Sequence, residues 1–257
     1  MKFTDPMKDF CLDLLKSKKY SPELISYEGK NHFDDFPCHE TIYKWIWNCK
    51  VSHRKADYKY RWIYRLLQHG HRRRKRGHRH DKRGNIPGRV FIDHRPQLVD
   101  KRHRVGDLEV DLMIGQKHRS AILACLDRAS RKIMIRKLVS KESKHVTEKI
   151  IATFKNYKSW LKTMTFDNDS AFMQHQKIAK ALNVKTYFTH PYTSQDKGSV
   201  ENRIGIIRRF LPKSTDLSKI TTKELRAIQD LINNRPLKLF NFKTPNQVFS
   251  EKIALIT

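Results

Sequence analysis

Between residues 105 and 212, three apolar runs of strand length follow one another: VGDLEVDLMIG, RSAILACLDR and RKIMIRKLVS, with short polar turns between them. Consecutive short strands joined this way form an antiparallel meander. The rhythm then changes. SKHVTEKIIATFKNYKSWL carries Val146, Ile150, Ile151 and Phe154 at helical spacing, TMTF is a short strand, and SAFMQHQKIAKAL is a helix. VKTYF is a further strand and SVENRIGIIRRFL a further helix. The order β-β-β-α-β-α-β-α leaves the later strands joined by helical crossovers, which predicts a mixed sheet with helices on its faces. The expected fold class is α/β.

The flanks have different textures. Residues 1–68 hold short amphipathic stretches: DFCLDLLKSKKY, a helix start at Ser21-Pro22-Glu23, and CHETIYKWIW. Small helices with Lys and Tyr outward are compatible with a helix-turn-helix-like DNA-binding module, and equally with a helical appendage. Residues 69–104 contain 13 Lys and Arg against three acids, with Gly and Pro scattered and no apolar period. Such a segment reads as a basic linker that cannot form a core alone. Residues 105–212 are the expected core. Residues 213–257 add a helical tail, TTKELRAIQDLINN and TPNQVFSEKIALI, joined by RPLKLFNFK.

Charge narrows the function. Across 257 residues, 54 Lys and Arg face 26 Asp and Glu, a formal net charge of +28. That excess favours a polyanionic partner, nucleic acid ahead of an anionic membrane surface. The run Arg72, Arg73, Arg74, Lys75 and Arg76 is expected to contact phosphates and give salt-sensitive, sequence-blind affinity. The pairs His69/His71 and His78/His80 lack a nearby cysteine and are read as backbone contacts, not metal ligands. No run approaches the roughly 18 apolar residues of a membrane span, and the N-terminus lacks an apolar signal core. The four cysteines (Cys11, Cys38, Cys49, Cys125) are widely spaced without a C-x-x-C pair, against a zinc ribbon or a disulfide framework. The chain reads as soluble, reduced and intracellular.

In so basic a chain, three acids occupy informative places. Asp111 lies in the first strand, on the face it shares with Glu109 and Met113. Asp167 follows TMTF at the C-terminal edge of the sheet. Glu201 opens a helix whose inward stripe is Val200, Ile204, Ile207 and Leu211, with Ser199 as the expected N-cap. The 33 residues between Asp167 and Glu201 carry the chain back to the same edge. Two carboxylates about 4 Å apart repel by roughly 4 kcal/mol at an effective dielectric near 20, so a converged trio needs compensation. Oxygen-only ligands suit Mg²⁺ or Mn²⁺, and two such ions can drive an in-line phosphodiester displacement. Taken singly, each acid also has a plain reading as a turn, helix-start or strand-face residue, and Asp107, Glu109 and Asp169 compete as ligands.

These segments resemble the catalytic core of DDE transposases, specifically the insertion-sequence-thirty family, related in fold to retroviral integrases. The matching stretches are SPELI, CHETIYKWI, GRVFIDHRP, GDLEVDLMIG, TFDNDSAF, HPYTSQDKGSVENR, RRFLPKSTD and RPLKLFNFKTPNQVF. The resemblance implies a ribonuclease-H-like fold, with Asp111, Asp167 and Glu201 as catalytic residues holding two Mg²⁺ or Mn²⁺ ions. It implies nicking at element ends and attack of the freed 3′-hydroxyl on target DNA. Lys197, Asn202, Arg203, Arg208 and Arg209 are then expected along the DNA, and a homo-oligomer is expected to bridge two ends in the bacterial cytoplasm, at the nucleoid. The family usually has Gly-His-Trp-Glu-Gly-Asp where this chain has GDLEVD, Asn-Gly where it has Asn168-Asp169, and an acid where it has Ala171. The family's first helix-turn-helix has no counterpart, which is compatible with a shortened or decayed copy. Three other readings stay open: a nuclease that cuts without joining, a non-catalytic DNA-binding remnant or repressor, and an RNA binder.

Overall fold

The computed structural model describes residues 3–67, 86–116, 120–190 and 198–255. The chain divides into two compact units, Met1–His78 and Arg79–Thr257.

The first unit is helical: α1 (Asp5–Lys16), α2 (Pro22–Gly29) and α3 (His39–Val51), followed by short 3-10 turns at Lys55–Tyr60 and Ile63–Leu66. Proline in the first turn suits α1 and α2, because an N–H there would have no intrahelical partner. Cys11, Leu15, Ile25, Ile42, Ile46 and Ile63 are among its fully enclosed side chains. Phe10 meets Phe33 and Phe36 edge-on, with ring centroids 5.4 and 5.6 Å away. Tyr43, Trp47 and Val51 stay exposed along α3, and the Lys50 ammonium lies 5.0 Å from the centre of the Trp47 ring.

The second unit begins with α4 (Gln97–Lys101), then β1 (Asp107–Ile114), β2 (Ala121–Asp127), β3 (Ile133–Leu138), α5 (Ser143–Phe154) and β4 (Thr163–Phe166). It continues with α6 (His175–Leu182), β5 (Lys185–Phe188), α7 (Gly198–Phe210), α8 (Thr222–Asn233) and α9 (Pro245–Ala254). The strand order is β3-β2-β1-β4-β5. β1, β2 and β3 are antiparallel, whereas β4 pairs parallel to β1 and β5 parallel to β4. This is the mixed sheet with flanking helices that the order of apolar runs implies.

The two faces of the sheet bury separate cores. Leu108 and Val110 of β1 pack with Val146, Ile150 and Phe154 of α5 and with Ile178 and Leu182 of α6. Met113 of the same strand packs with Val200, Ile206 and Ile207 of α7 and Leu225 and Ile232 of α8. The period-two alternation of β1 therefore sends Glu109 and Asp111 toward α7. An edge strand exposes unpaired backbone, and here α8 covers it. Asn233 accepts from the Ile133 N–H and donates to the Ile133 carbonyl, both at 2.8 Å, while Gln229 accepts from the Ile135 N–H at 2.9 Å.

Two local expectations change. SAFMQHQKIAKAL is not one helix: a 3-10 turn at Ser170–Phe172 precedes α6. The Asp169 carboxylate accepts from the Ala171 N–H at 2.9 Å, which starts the turn early. Ser199 lies inside the first turn of α7, so it is not the residue preceding the helix. Among the described residues, no helix is long and apolar enough to cross a membrane.

Candidate active site

The site begins at the contact between β1 and β4. Their parallel register pairs Asp107 with Thr163 and Glu109 with Thr165. Two residues beyond the last of these pairs stand Asp111, still within β1, and Asp167, just past the end of β4. Paired strands lie about 5 Å apart, so this register brings the two carboxyl-bearing backbones close. Asp111 is half-buried, and its Oδ1 accepts the Leu112 N–H at 2.8 Å, which holds the side chain against its own strand. Asp167 is also half-buried.

Glu201 sits in the first turn of α7, a helix tied to β1. The Val200 N–H, one residue earlier, donates to Glu109 Oε2 at 2.9 Å, pinning the first turn of α7 to β1. Glu109 and Asp111 share a face about 7 Å apart along the strand. Glu201 itself is exposed. Its place in the first turn puts it at the positive end of the helix dipole.

The competing acids have structural partners. Asp107 is almost fully buried, bound to Arg104 Nε at 2.8 Å and to the Thr163 hydroxyl at 2.8 Å. Asp169 caps the turn already described. Glu109 is inaccessible: Oε1 accepts from Arg128 Nη1 at 2.8 Å, and Oε2 is taken by Val200. Arg128 also reaches Asp100 Oδ1 at 3.3 Å, and Arg95 joins the same Asp100 while donating to Thr165 Oγ1 at 3.0 Å. Burial pulls the Arg128 guanidinium below its ordinary range, while Glu109 pushes it back up. This chain of charges, buried at Arg95, Glu109 and Arg128 and exposed at Asp100, ties α4, β1, β4 and α7 together. The sequence carries no sign of it, because Arg128 and Glu109 lie 19 residues apart with no spacing signal.

The remaining expected contacts spread out. Asn202 is exposed and Arg209 half-buried. Arg208 donates to the Ile114 carbonyl. Arg203 is only 5% exposed, and burial followed by the like charges of Arg131 and Arg235 pushes its guanidinium down to about 9. Arg72, Arg73, Arg74, Lys75, Arg76 and Lys197 lie outside the described residues. The donor chemistry fits a hard divalent cation, since all three candidate acids offer oxygen only. Among the described residues, however, no three His, Cys, Asp or Glu side chains lie close enough together to hold a metal ion.

In this five-stranded mixed sheet Asp111 lies within β1, and Asp167 directly follows the neighbouring strand β4. Residues 101–194 match the integrase core domain family. The transposase for insertion sequence element IS4351 of Bacteroides fragilis is 40% identical over 97% of this chain and 74% of its own length. The transposase for IS1086 of Cupriavidus metallidurans is 32% identical over 92% of this chain and 70% of its own. The catalytic core domain of BIV integrase aligns with a TM-score of 0.46 at 15% identity, covering 58% of this chain and 97% of that one. The chain belongs to the family of insertion-sequence transposases, the DDE-type polynucleotidyl transferases of DNA transposition and integration.

Proposed function

We propose that this chain cuts DNA at the ends of its element and joins them to target DNA, with Asp111, Asp167 and Glu201 as its catalytic carboxylates. The observation that supports the reading is the β1–β4 register, which pairs Glu109 with Thr165, two residues before Asp111 and Asp167 on their strands. Integrase-type transposases use divalent metal ions, and two Mg²⁺ or Mn²⁺ ions are the proposed complement here. When bound, they supply Lewis acidity and a more acidic water. Asp111 and Asp167 would hold that charge from the sheet edge, and Glu201 would approach it from α7. Approach of a third carboxylate without a cation is opposed by several kcal/mol at an effective dielectric near 20. An open trio is therefore what bare carboxylates should adopt.

The surrounding residues have their own tasks in this reading. Glu109 and Arg128 keep the start of α7 on β1. Asn202, Arg208 and Arg209, with Lys197, would run beside the bound strand, and the arginine run at 72–76 would add affinity indifferent to sequence. Residues 1–68 are proposed as a helix-turn-helix-like module and 69–104 as a basic connector whose last part, with Arg95 and α4, packs into the catalytic unit. An oligomer would hold two DNA ends together.

The test uses purified protein, Mg²⁺ and labelled DNA carrying the element ends. Nicked and joined products are expected, both lost in Glu201→Gln while DNA retention in a shift assay persists. Undiminished products in excess chelator would refute the metal-dependent reading. A second reading, a DNA binder without chemistry, draws on the absence of a three-ligand cluster among the described residues. It expects no products from the unaltered chain, and no effect on retention from Asp111→Ala, Asp167→Ala or Glu201→Ala.

A further inference from the structure

Beside the first turns of α7 lies a second concave site, a cleft of about 440 Å³ that the carboxylates do not enter. Its polar lining is Arg102, Arg131, Ser199, Asn202, Arg203 and Lys238. No acidic side chain among the described residues lines it. The four cations arrive from four places: the end of α4, the β2–β3 turn, α7, and the 3-10 turn at Lys238–Phe240. Ser199, Asn202, Arg203 and Ile206 fall at helical spacing, so they present one side of α7 to the cleft.

Arg203 makes the cleft a built site. It is 5% exposed, and its Nη1 is buried without a hydrogen-bond partner among the described residues. A buried guanidinium N–H left unpaired is costly, and the surrounding charges add to that cost. Burial, then Arg131, then Arg235 all push Arg203 toward losing its proton. Arg131 in turn is disfavoured by burial and by Arg102, against the pull of Glu109 and Asp127. A group that removes these penalties together must be anionic, small enough for the cleft, and rich in acceptor oxygens. A phosphate meets all three conditions, and the guanidinium fork matches its geometry. The α7 N-terminal turns add a favourable dipole.

We propose that this cleft binds a backbone phosphate of DNA, as an anchoring subsite separate from the carboxylate edge. The assignment rests on the reading of the chain as a DNA transposase. Arg203 is the buried donor, Arg131 supplies a second cation beside it, and Arg102 and Lys238 close the exposed rim. Neither Asp111 nor Asp167 lines the cleft, so the subsite sets where DNA lies and performs no chemistry.

The experiment compares the full chain, Arg102→Gln/Lys238→Gln and a charge-matched control, Lys177→Gln/Lys180→Gln, on α6. Duplex DNA affinity is measured across salt concentrations, and melting is followed with and without millimolar inorganic phosphate. Each backbone phosphate that the cleft no longer neutralises lowers the slope of log affinity against log salt by about 0.9. That drop is expected in the cleft variant and not in the control, together with loss of stabilisation by phosphate. Arg131→Gln provides an independent probe of the same outcome. An unchanged slope with phosphate stabilisation abolished overturns the DNA assignment in favour of a free phosphate. Equal behaviour of cleft variant and control in both measurements overturns the site. If the unaltered chain retains no DNA at all, the transposase reading fails, and loss or survival of phosphate stabilisation still decides whether the cleft takes an anion.

Discussion

Glu109→Gln separates the architecture of the site from its chemistry. The glutamate uses both oxygens, one on Arg128 and one on the Val200 N–H. Glutamine keeps the shape but has one carbonyl oxygen, so it can serve one of these donors while its amide opposes the other. Arg128, 3% exposed, is also deprived of the carboxylate nearest to it and keeps Asp100 at 3.3 Å. Removing one member of a buried ion pair costs about 3–5 kcal/mol, and a buried N–H left unsatisfied costs about 1–3 kcal/mol. Because the groups touch one another the two do not add, and we expect a destabilisation of about 4 kcal/mol. For a unit of this size that lowers the melting temperature by roughly 10 °C, readable in a thermal or urea melt. Asp111→Asn, two residues along the same face, should change stability by less than about 1 kcal/mol while abolishing cleavage, since catalytic carboxylates are commonly held against stability. If Glu109→Gln melts within about 2 °C of the unaltered chain, the buried network does not anchor α7, and the account of how Glu201 is presented fails.

Two further outcomes follow from the geometry. Gly106 sits at φ +102° with a Cβ position 2.0 Å from the Trp160 carbonyl oxygen, so Gly106→Ala should destabilise by about 2–4 kcal/mol in a denaturant melt, and a neutral result would contradict the close approach. Burial pushes the thiols of Cys11 and Cys125 up to about 12 and that of Cys49 up to about 11, whereas hydrogen bonds from Thr41 lower the exposed Cys38. Thiolate fraction grows with pH, so at about pH 8 a thiol reagent should label Cys38 first and the other three only on unfolding, while four equal rates would refute the placement.

Much of the fold is legible in the residues alone. The three meander strands stand out because their turns are short and β2 is apolar up to its last residue, Asp127, as suits a strand buried on both faces. TMTF is readable despite its four residues because it is flanked by helical patterns and entirely buried. Side-chain competition for the backbone is less visible, as the Asp169 turn shows. The carboxylates are harder still. Asp107, Glu109, Asp111 and Asp169 look alike in a string of letters, and their partners tell them apart: Arg104 and Thr163 hold the first, Arg128 and Val200 the second, Ala171 the last. The phosphate cleft leaves no local trace, since Arg102, Arg131, Arg203 and Lys238 are gathered from distant stretches by the crossover topology.

The parallel pairing of β1 with β4 also governs the order in which the sheet can be completed. A meander can assemble from neighbouring residues as it leaves the ribosome, but a parallel partner must wait for the intervening helix. Asp111 thus emerges long before the strand that carries Asp167 to its side, and α7 arrives later still. Until β4 and α7 are made, the sheet lacks its parallel half, and a frameshift ahead of Thr163 would leave it permanently without that half.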